Sequence, residues 1–430
     1  MKKQVKASPG DYINIRTTKE NIEGTLLESH EPDIFLLKLK SGYNIGIKKE
    51  DIYDIRVIRK AKPEESKKPE LKTKGELPSI AMIMTGGTIS SRLDPSTGAV
   101  KWLTSPADFF KFYPELFGIA NIKKLEIPFM IASENMSSRE WKKIAKVAAE
   151  LLNDTGIKGI IITHGTDTLH YTASALSFFL KNLNKPVILT YSQRSTDRAS
   201  SDASLNLQCA AQAAISNIAE VMLVGHASTN DDFCYAMPGA KVRKMHSSRR
   251  DAFKCINSKP IAKIFPGRIE ILSQHKRRNN SKVKLNAVFE DKVALVKFHP
   301  GMNPDIIDYY AKNCKGIVIE MTGLGHVATK EARYNLLPKL KQAIKKGLII
   351  CAAPQTLYGR LDPYVYSPGR ELLKAGIIYL EDMLPETALV KLGYVLAHRE
   401  WAKNKDKIKE KMLENFSHEI NNRLGKEFIE

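Results

Sequence analysis

Cysteine is scarce. The 430-residue chain has five (Cys209, Cys234, Cys255, Cys314 and Cys351), an odd number with no CxxC pair. That count argues against a disulfide framework and against a zinc ribbon, and the thiols are expected to be reduced and mostly buried. Long hydrophobic runs are missing too. No stretch approaches the ~18 uninterrupted apolar residues of a membrane helix, and the N-terminus MKKQVKASPGDYINIR is basic without the apolar core of a secretory signal. A soluble, cytoplasmic protein with no membrane association is expected. Nucleotide fingerprints are absent as well: no Gly-Lys-Ser/Thr follows a glycine-rich turn and no GxGxxG spacing occurs, which disfavours nucleotide binding by this chain.

Acidic residues are the minority charge, 47 Asp and Glu against 67 Lys and Arg, for a net +20. Such a surplus favours polyanionic partners such as RNA without by itself setting a function. With 43% hydrophobic and 27% charged residues the composition is that of an ordinary soluble protein. The length suits two or three domains with a full α/β core.

Residues 11 to 60 carry five short alternating runs (12–16, 23–27, 34–39, 43–47 and 52–58) separated by Gly, Asn, Asp and Lys-Ser-Gly turns, the pattern of a small antiparallel β-barrel. Residues 61–78, rich in Lys, Glu and Pro, read as an exposed linker. From Ser79 the texture changes to buried apolar runs, IAMIM (80–84), GIIIT (159–163), PVILTY (186–191) and EVMLVG (220–225), alternating with amphipathic segments at 138–153 and 173–183. These make βα units and a parallel sheet covered on both faces, a larger α/β domain over 79–290. A second, smaller parallel domain is expected over 291–430, with a helix at 330–346 and a basic, amphipathic helical tail over 388–424.

In an open α/β sheet, ligands bind beyond the C-terminal ends of the strands. Two turns stand there. Thr85-Gly86-Gly87-Thr88-Ile89-Ser90 follows the run at 80–84; its paired glycines turn tightly and bring backbone amides, Gly87 included, toward a ligand with the Thr88 hydroxyl beside them. His164-Gly165-Thr166-Asp167-Thr168 follows the run at 159–163 and sets a hydroxyl next to a carboxylate. Taken singly, either could be a tight turn whose Thr or Asp caps a helix. A third stretch, GAKVRKMHSSRRDAF (239–253), is packed with Lys241, Arg243, Lys244, Arg249 and Arg250, and the default reading of each is a solvated face.

Together, in this order on this sheet pattern, the two turns resemble the TGGTI and HGTDT signatures of the asparaginase/glutaminase family. The resemblance covers about 350 residues from Ser79. It implies that Thr88 is the family's first catalytic threonine, that Thr166 and Asp167 are its second threonine and aspartate, and that Lys244 is its lysine, since Gly239, Val242 and Phe253 keep the flanking spacing. Ser133 and Glu134, in ASENM, are implied to hold the substrate's α-carboxylate and amino group. One departure stands out: the family places a tyrosine in the mobile loop just after the first threonine, whereas here the next tyrosine is Tyr113, and the loop 90–105 offers Asp94, Thr97, Lys101 and Trp102 instead. A site gated by a partner follows as an expectation.

A stand-alone amidase needs neither the N-terminal barrel, nor the linker, nor the +20 charge. With GTDTLHY (165–171), QRSTDRASSDASLNL (193–207) and VRKMHSSRRDAF (242–253), the arrangement is similar to that of the glutamine-hydrolysing subunits of archaeal tRNA-dependent amidotransferases. That resemblance implies a homodimer within a heterotetramer with an E subunit. The E subunit would use ATP and Mg to activate Glu-tRNA(Gln), while this chain would carry no cofactor or metal and hydrolyse glutamine. Engagement of tRNA(Gln) through the complex is implied as well. A stand-alone L-asparaginase/glutaminase is the alternative, and a non-catalytic RNA-binding scaffold the minor one. For an anionic partner the loop HKRRNNSKVK (275–284) is the strongest candidate, against the plainer reading of a solvated turn.

Overall fold

The computed structural model describes residues 7–27, 29, 33–39, 44–60, 77–93, 100–102, 113–196 and 200–425. The expected linker, 61–78, lies outside the described residues apart from its last two, and so do Asp94 and Thr97 of the loop after Thr88. The five N-terminal strands form one antiparallel sheet in the order Asn44–Lys48, Ile34–Lys38, Asn21–Leu27, Tyr12–Thr17, Ile52–Arg59. Alternation puts Ile13 and Ile15 on one face, where they meet Leu26, Leu37 and Ile47 in a small private core. Register shifts at Tyr12/Ile13 and Arg16/Thr17 bend strand Tyr12–Thr17 over that core.

The larger lobe is built on eight strands. In order they are Arg268–Ile271, Ala262–Phe265, Cys234–Pro238, Val221–His226, Val187–Thr190, Ile160–Thr163, Ser79–Met84 and Asn121–Glu126. The last five of these pair in parallel, as the apolar runs predict. The first three extend the sheet antiparallel. This extension differs from the all-parallel expectation, and its cause is chain length: only residues 227–233 join Val221–His226 to Cys234–Pro238, too few for a crossover helix.

Both faces of the parallel core are covered. Along Ser79–Met84, Ala81 and Ile83 join the core under helices Ser138–Leu152 and Leu169–Phe179, while Ile80, Met82 and Met84 join the core under helix Ala203–Ala214. Helix Ser138–Leu152 starts where Ser137 and Glu140 form a reciprocal capping box. The expected helix at 173–183 begins earlier, at Leu169, and ends at Phe179, after which Leu180–Lys181 pairs with Lys284–Leu285.

The smaller lobe is a four-stranded parallel sheet, Val293–Lys297, Gly316–Met321, Ile349–Pro354 and Ile378–Tyr379. Its helix Leu337–Lys345 is shorter than the 330–346 expected, because Pro338 lies in its first turn and a proline opens a helix but does not continue one. The C-terminal tail needs a larger correction. Helix Pro385–Ala397 is buried around nearly its whole circumference, packed between helix Leu169–Phe179 of one lobe and strand Gly316–Met321 of the other, so amphipathy is lost. Even Lys391 is fully buried there, neutralised by Glu419 at 2.6 Å. Two shorter helices follow, Arg399–Ala402 and Lys405–Leu413, and the chain then folds back onto the larger lobe.

Candidate active site

Two strands end side by side, Ser79–Met84 and Ile160–Thr163, and the chain beyond each makes one of the two signature turns. The Thr85 hydroxyl donates to the Thr163 carbonyl at 2.8 Å and locks their start in register. Beyond it the backbones touch. Gly87 sits at φ +85°, and a Cβ built on it would lie 2.4 Å from Gly165 N and 2.6 Å from Gly165 Cα. Thr88 and Thr166 therefore each follow one of two glycines in direct contact. Thr88, partly exposed, opens the short 3-10 turn Thr88–Ser90; Thr166 is buried.

Lys244 comes from another segment, the hairpin strand Val242–Lys244 paired with Phe253–Cys255. Its Nζ donates to Thr166 Oγ1 and to Asp167 Oδ1, both at 2.8 Å. The lysine side chain is 10% exposed and that of Asp167 63%, so the ammonium is drawn inward while the carboxylate stays at the mouth. A third turn, Ser133–Asn135, closes the other side. The Ser133 hydroxyl would lie 2.9 Å from a Cβ on Gly165, Thr168 Oγ1 donates to the Ser133 carbonyl at 2.7 Å, and Glu134 is exposed beside it. Thr166, Asp167, Lys244, Ser133, Gly87 and the Thr88 turn thus meet at the C-terminal ends of the parallel strands. Tyr113 is buried and donates to the Ile89 carbonyl at 3.2 Å, a structural position beneath the Thr88 turn.

Of the five cations of 239–253 only Arg249 is exposed; Lys241 is buried and Arg243, Lys244 and Arg250 are partly so, and each of the five has a carboxylate partner. Lys241 pairs with Asp382, Arg243 with Glu386, Lys244 with Asp167, Arg249 with Asp251 and Arg250 with Asp231. Within the loop 275–284, Arg278 is taken up by the fold: it donates to the carbonyls of Lys158, Ala214 and Ser216, the last two where helix Ala203–Ala214 ends, while Lys276, Arg277, Lys282 and Lys284 stay exposed.

Sequence reading missed a ring of polar groups that clamps the Lys244 hairpin. Tyr191 Oη donates to the Arg250 carbonyl at 2.8 Å, and Arg250 pairs with Asp231 at 2.7 Å. Asp231 meets His226 Nε2 at 3.0 Å, His226 Nδ1 meets Asn206 Oδ1 at 2.6 Å, and Asn206 returns to the Tyr191 carbonyl at 2.9 Å. Gly225 belongs to the same construction, since a Cβ there would strike the Tyr191 ring at 2.3 Å. Its members come from four segments, which is why no local motif announces them; a buried Asn in an Ala-rich helix was the one available signal.

Two histidines flank the Thr166 turn. His164 contacts the Gly165 carbonyl through Nδ1 at 2.7 Å and Thr172 Oγ1 through Nε2 at 2.9 Å, and burial holds it down at about 4. His170 is pushed to about 3 by burial, with Arg243 and Lys244 adding to the shift. Both are neutral when folded and titrate near ~6.5 when unfolded. Between those values the unfolded chain binds the extra protons, so stability falls as pH drops from ~6.5 toward ~4, by about 1.4 kcal/mol per pH unit for each histidine in the middle of the window. His170 Nδ1 has no hydrogen-bond partner among the described residues, so His170→Gln spares the network. Thermal melts at pH 7, 6, 5 and 4.5 are expected to show a flatter decline for that variant; parallel curves would contradict the assignment.

Among the described residues no group of three or more His, Cys, Asp or Glu could hold a metal ion, and no helix is long and apolar enough to cross a membrane.

Comparison with known proteins places this geometry. The model "Asparaginase, N-terminal" matches residues 79–277, "Glutaminase/Asparaginase C-terminal domain" matches 292–412, and "GatD N-terminal domain" matches 7–58. Among solved structures, the thermostable L-asparaginase from Thermococcus kodakarensis superposes with a TM-score of 0.70 at 29% identity, over 80% of this chain and 100% of that one. L-asparaginase I from Vibrio cholerae gives 0.67 at 28%, over 80% and 99%. Over the full length, the D subunit of the glutamyl-tRNA(Gln) amidotransferase of Pyrococcus furiosus is 48% identical, covering 97% of this chain and 96% of that relative. Its counterpart in Sulfurisphaera tokodaii is 42% identical over 98% and 93%. The chain belongs to the family of archaeal glutamyl-tRNA(Gln) amidotransferase D subunits, an asparaginase-type fold preceded by a domain of its own.

Proposed function

We propose that this chain hydrolyses the carboxamide of glutamine through Thr88 and delivers the ammonia to an E subunit that converts Glu-tRNA(Gln) to Gln-tRNA(Gln). One observation carries the reading. Lys244 Nζ bridges Thr166 Oγ1 and Asp167 Oδ1 on a turn whose backbone touches that of Thr88. A carboxamide is a poor electrophile, so its hydrolysis needs an activated hydroxyl, donors for the tetrahedral oxyanion and a proton for the departing ammonia.

Each need has a residue. The Thr88 oxygen attacks the amide carbon and the amides of the glycine turn, Gly87 foremost, receive the oxyanion. In its amine form Lys244 accepts the Thr88 proton through Thr166, while Asp167 fixes its place. That proton leaves with ammonia, and water cleaves the acyl-threonine to glutamate and free Thr88. Ser133 and Glu134 hold the α-carboxylate and amino group of the substrate. ATP and Mg serve the partner subunit; this chain needs no cofactor of its own.

The +20 charge and the separate N-terminal domain support assembly with the E subunit around tRNA(Gln), as a dimer of D subunits within a heterotetramer in the cytoplasm. The structural match to complete L-asparaginases favours asparagine as a second substrate. Glutamine hydrolysis is expected to be weak in the isolated chain and to rise by roughly 30- to 150-fold with the E subunit and Glu-tRNA(Gln), which corresponds to ~2–3 kcal/mol of coupling. Ammonia release should be measured for the chain alone, with the partner, and with partner, ATP and Glu-tRNA(Gln). Equal rates in all three, with asparagine turned over faster than glutamine, would favour the stand-alone asparaginase.

A further inference from the structure

A cavity of about 570 Å³ lies at the opposite end of the sheet from the catalytic turns, where strand Val221–His226 begins and the returning C-terminal segment 416–421 closes over it. The volume is in the range that holds a metabolite. Its wall carries four polar side chains, Lys181, Asn182, Gln274 and Lys276, that have no hydrogen-bond or ion-pair partner among the described residues. The half-buried Lys181 ammonium rests on the Phe416 ring at 4.5 Å. The one lining carboxylate, Glu220, is already engaged: it accepts from the Lys276 backbone amide at 3.0 Å and faces His418 Nε2 at 3.8 Å. Burial holds the Lys181 ammonium below its usual range against the pull of Glu419 and Glu414, with Lys391 and Lys276 repelling it, so an anion placed here would relieve a standing cost.

Two walls of the cavity are the far ends of the elements that carry the catalytic groups. Helix Leu169–Phe179 starts from Thr168, next to Thr166 and Asp167, and runs roughly 16 Å to end at Ser177, Leu180 and Lys181 in the cavity wall. Gly239, also in the wall, lies three residues before the strand that ends in Lys244, and a Cβ on it would sit 2.9 Å from Ser177 Oγ. Small shifts in the wall therefore reach Thr166 and Lys244 through a rigid helix and a three-residue lead.

We infer that this cavity is an effector site for a compact dianion, a phosphate ester or a dicarboxylate, held by Lys181 and Lys276 and altering the rate of glutamine hydrolysis. Its binding half stands without the proposed activity; only its rate half rests on it. Titration calorimetry on the full chain with pyrophosphate, AMP and succinate separates the two sources. At least one probe is expected to bind one-to-one, to weaken at least tenfold in Lys181→Met/Lys276→Met and in the exposed Gln274→Glu, and to bind unchanged in Lys244→Met. Saturation with that probe should change glutamine hydrolysis at least twofold in the wild type and not in Gln274→Glu. The site is rejected if none of the three binds below millimolar concentration, if binding survives both cavity variants, or if Lys244→Met abolishes it. Binding with an unchanged rate rejects the effector role.

Discussion

Lys244→Met is expected to lower kcat for glutamine hydrolysis by at least ~10³-fold while leaving the fold intact. Its Nζ contacts both Thr166 and Asp167, so its removal takes away at once the proton acceptor and the charge partner of the carboxylate. The hairpin itself has other anchors: Arg243 on Glu386, Lys241 on Asp382 and the Arg250–Asp231 link to the polar ring. A melting temperature within a few degrees of wild type is therefore expected. Groups that work as a unit lose activity together, so Thr166→Ala, and Thr166→Ala combined with Lys244→Met, should each cost about as much as the single lysine change. A folded Lys244→Met enzyme with near-normal ammonia release in the assembled complex would remove Lys244 from the chemistry.

Gly87→Ala is expected to damage both stability and activity strongly. At φ +85° and ψ 166°, a region essentially reserved for glycine, an alanine costs about 1–3 kcal/mol, and its Cβ would overlap Gly165 N, Gly165 Cα and the His164 carbonyl carbon at 2.4 to 2.6 Å. All three atoms are backbone, so no rotamer change relieves the contact and the two signature turns must separate. Activity should fall at least ~10²-fold, because positioning errors of about 1 Å carry that order of cost, and the melting temperature should fall with it. Gly118→Ala is the control, as its Cβ would meet nothing within 4 Å. Equal stability and activity for the two variants, measured by thermal melts and steady-state ammonia release, would show that the turns need not touch.

Much of the scaffold was legible because it is local. Alternating runs gave the N-terminal strands, uninterrupted apolar runs gave the parallel core, and the rule that sites lie beyond strand ends pointed to Thr88 and to Thr166 with Asp167. Lys244 was legible only by resemblance. As a sequence it is one of five cations in a polar stretch, and what distinguishes it is a partner 77 residues away in the chain. The ion pairs of Lys241 and Arg243 were hidden for the same reason, their carboxylates being Asp382 and Glu386 in the other lobe's sequence. The helix at 385–397 misled because its few polar residues suggested a solvated face, whereas burial between two lobes is set by tertiary neighbours that composition does not record. The antiparallel extension of the large sheet follows from a seven-residue connection, a length that excludes a crossover but is easily passed over when parallel units dominate.

Nitrogen should move from glutamine to the tRNA-bound product by way of this site. Glutamine labelled with ¹⁵N in its carboxamide, supplied to the assembled complex with ATP and Glu-tRNA(Gln), tests that most directly, with the label in Gln-tRNA(Gln) read by mass spectrometry. The expected result is near-complete transfer of ¹⁵N by the wild type and none by Lys244→Met, whose complex still amidates Glu-tRNA(Gln) when given free ammonia. Transfer that persists undiminished in the folded Lys244→Met complex would contradict the proposed route.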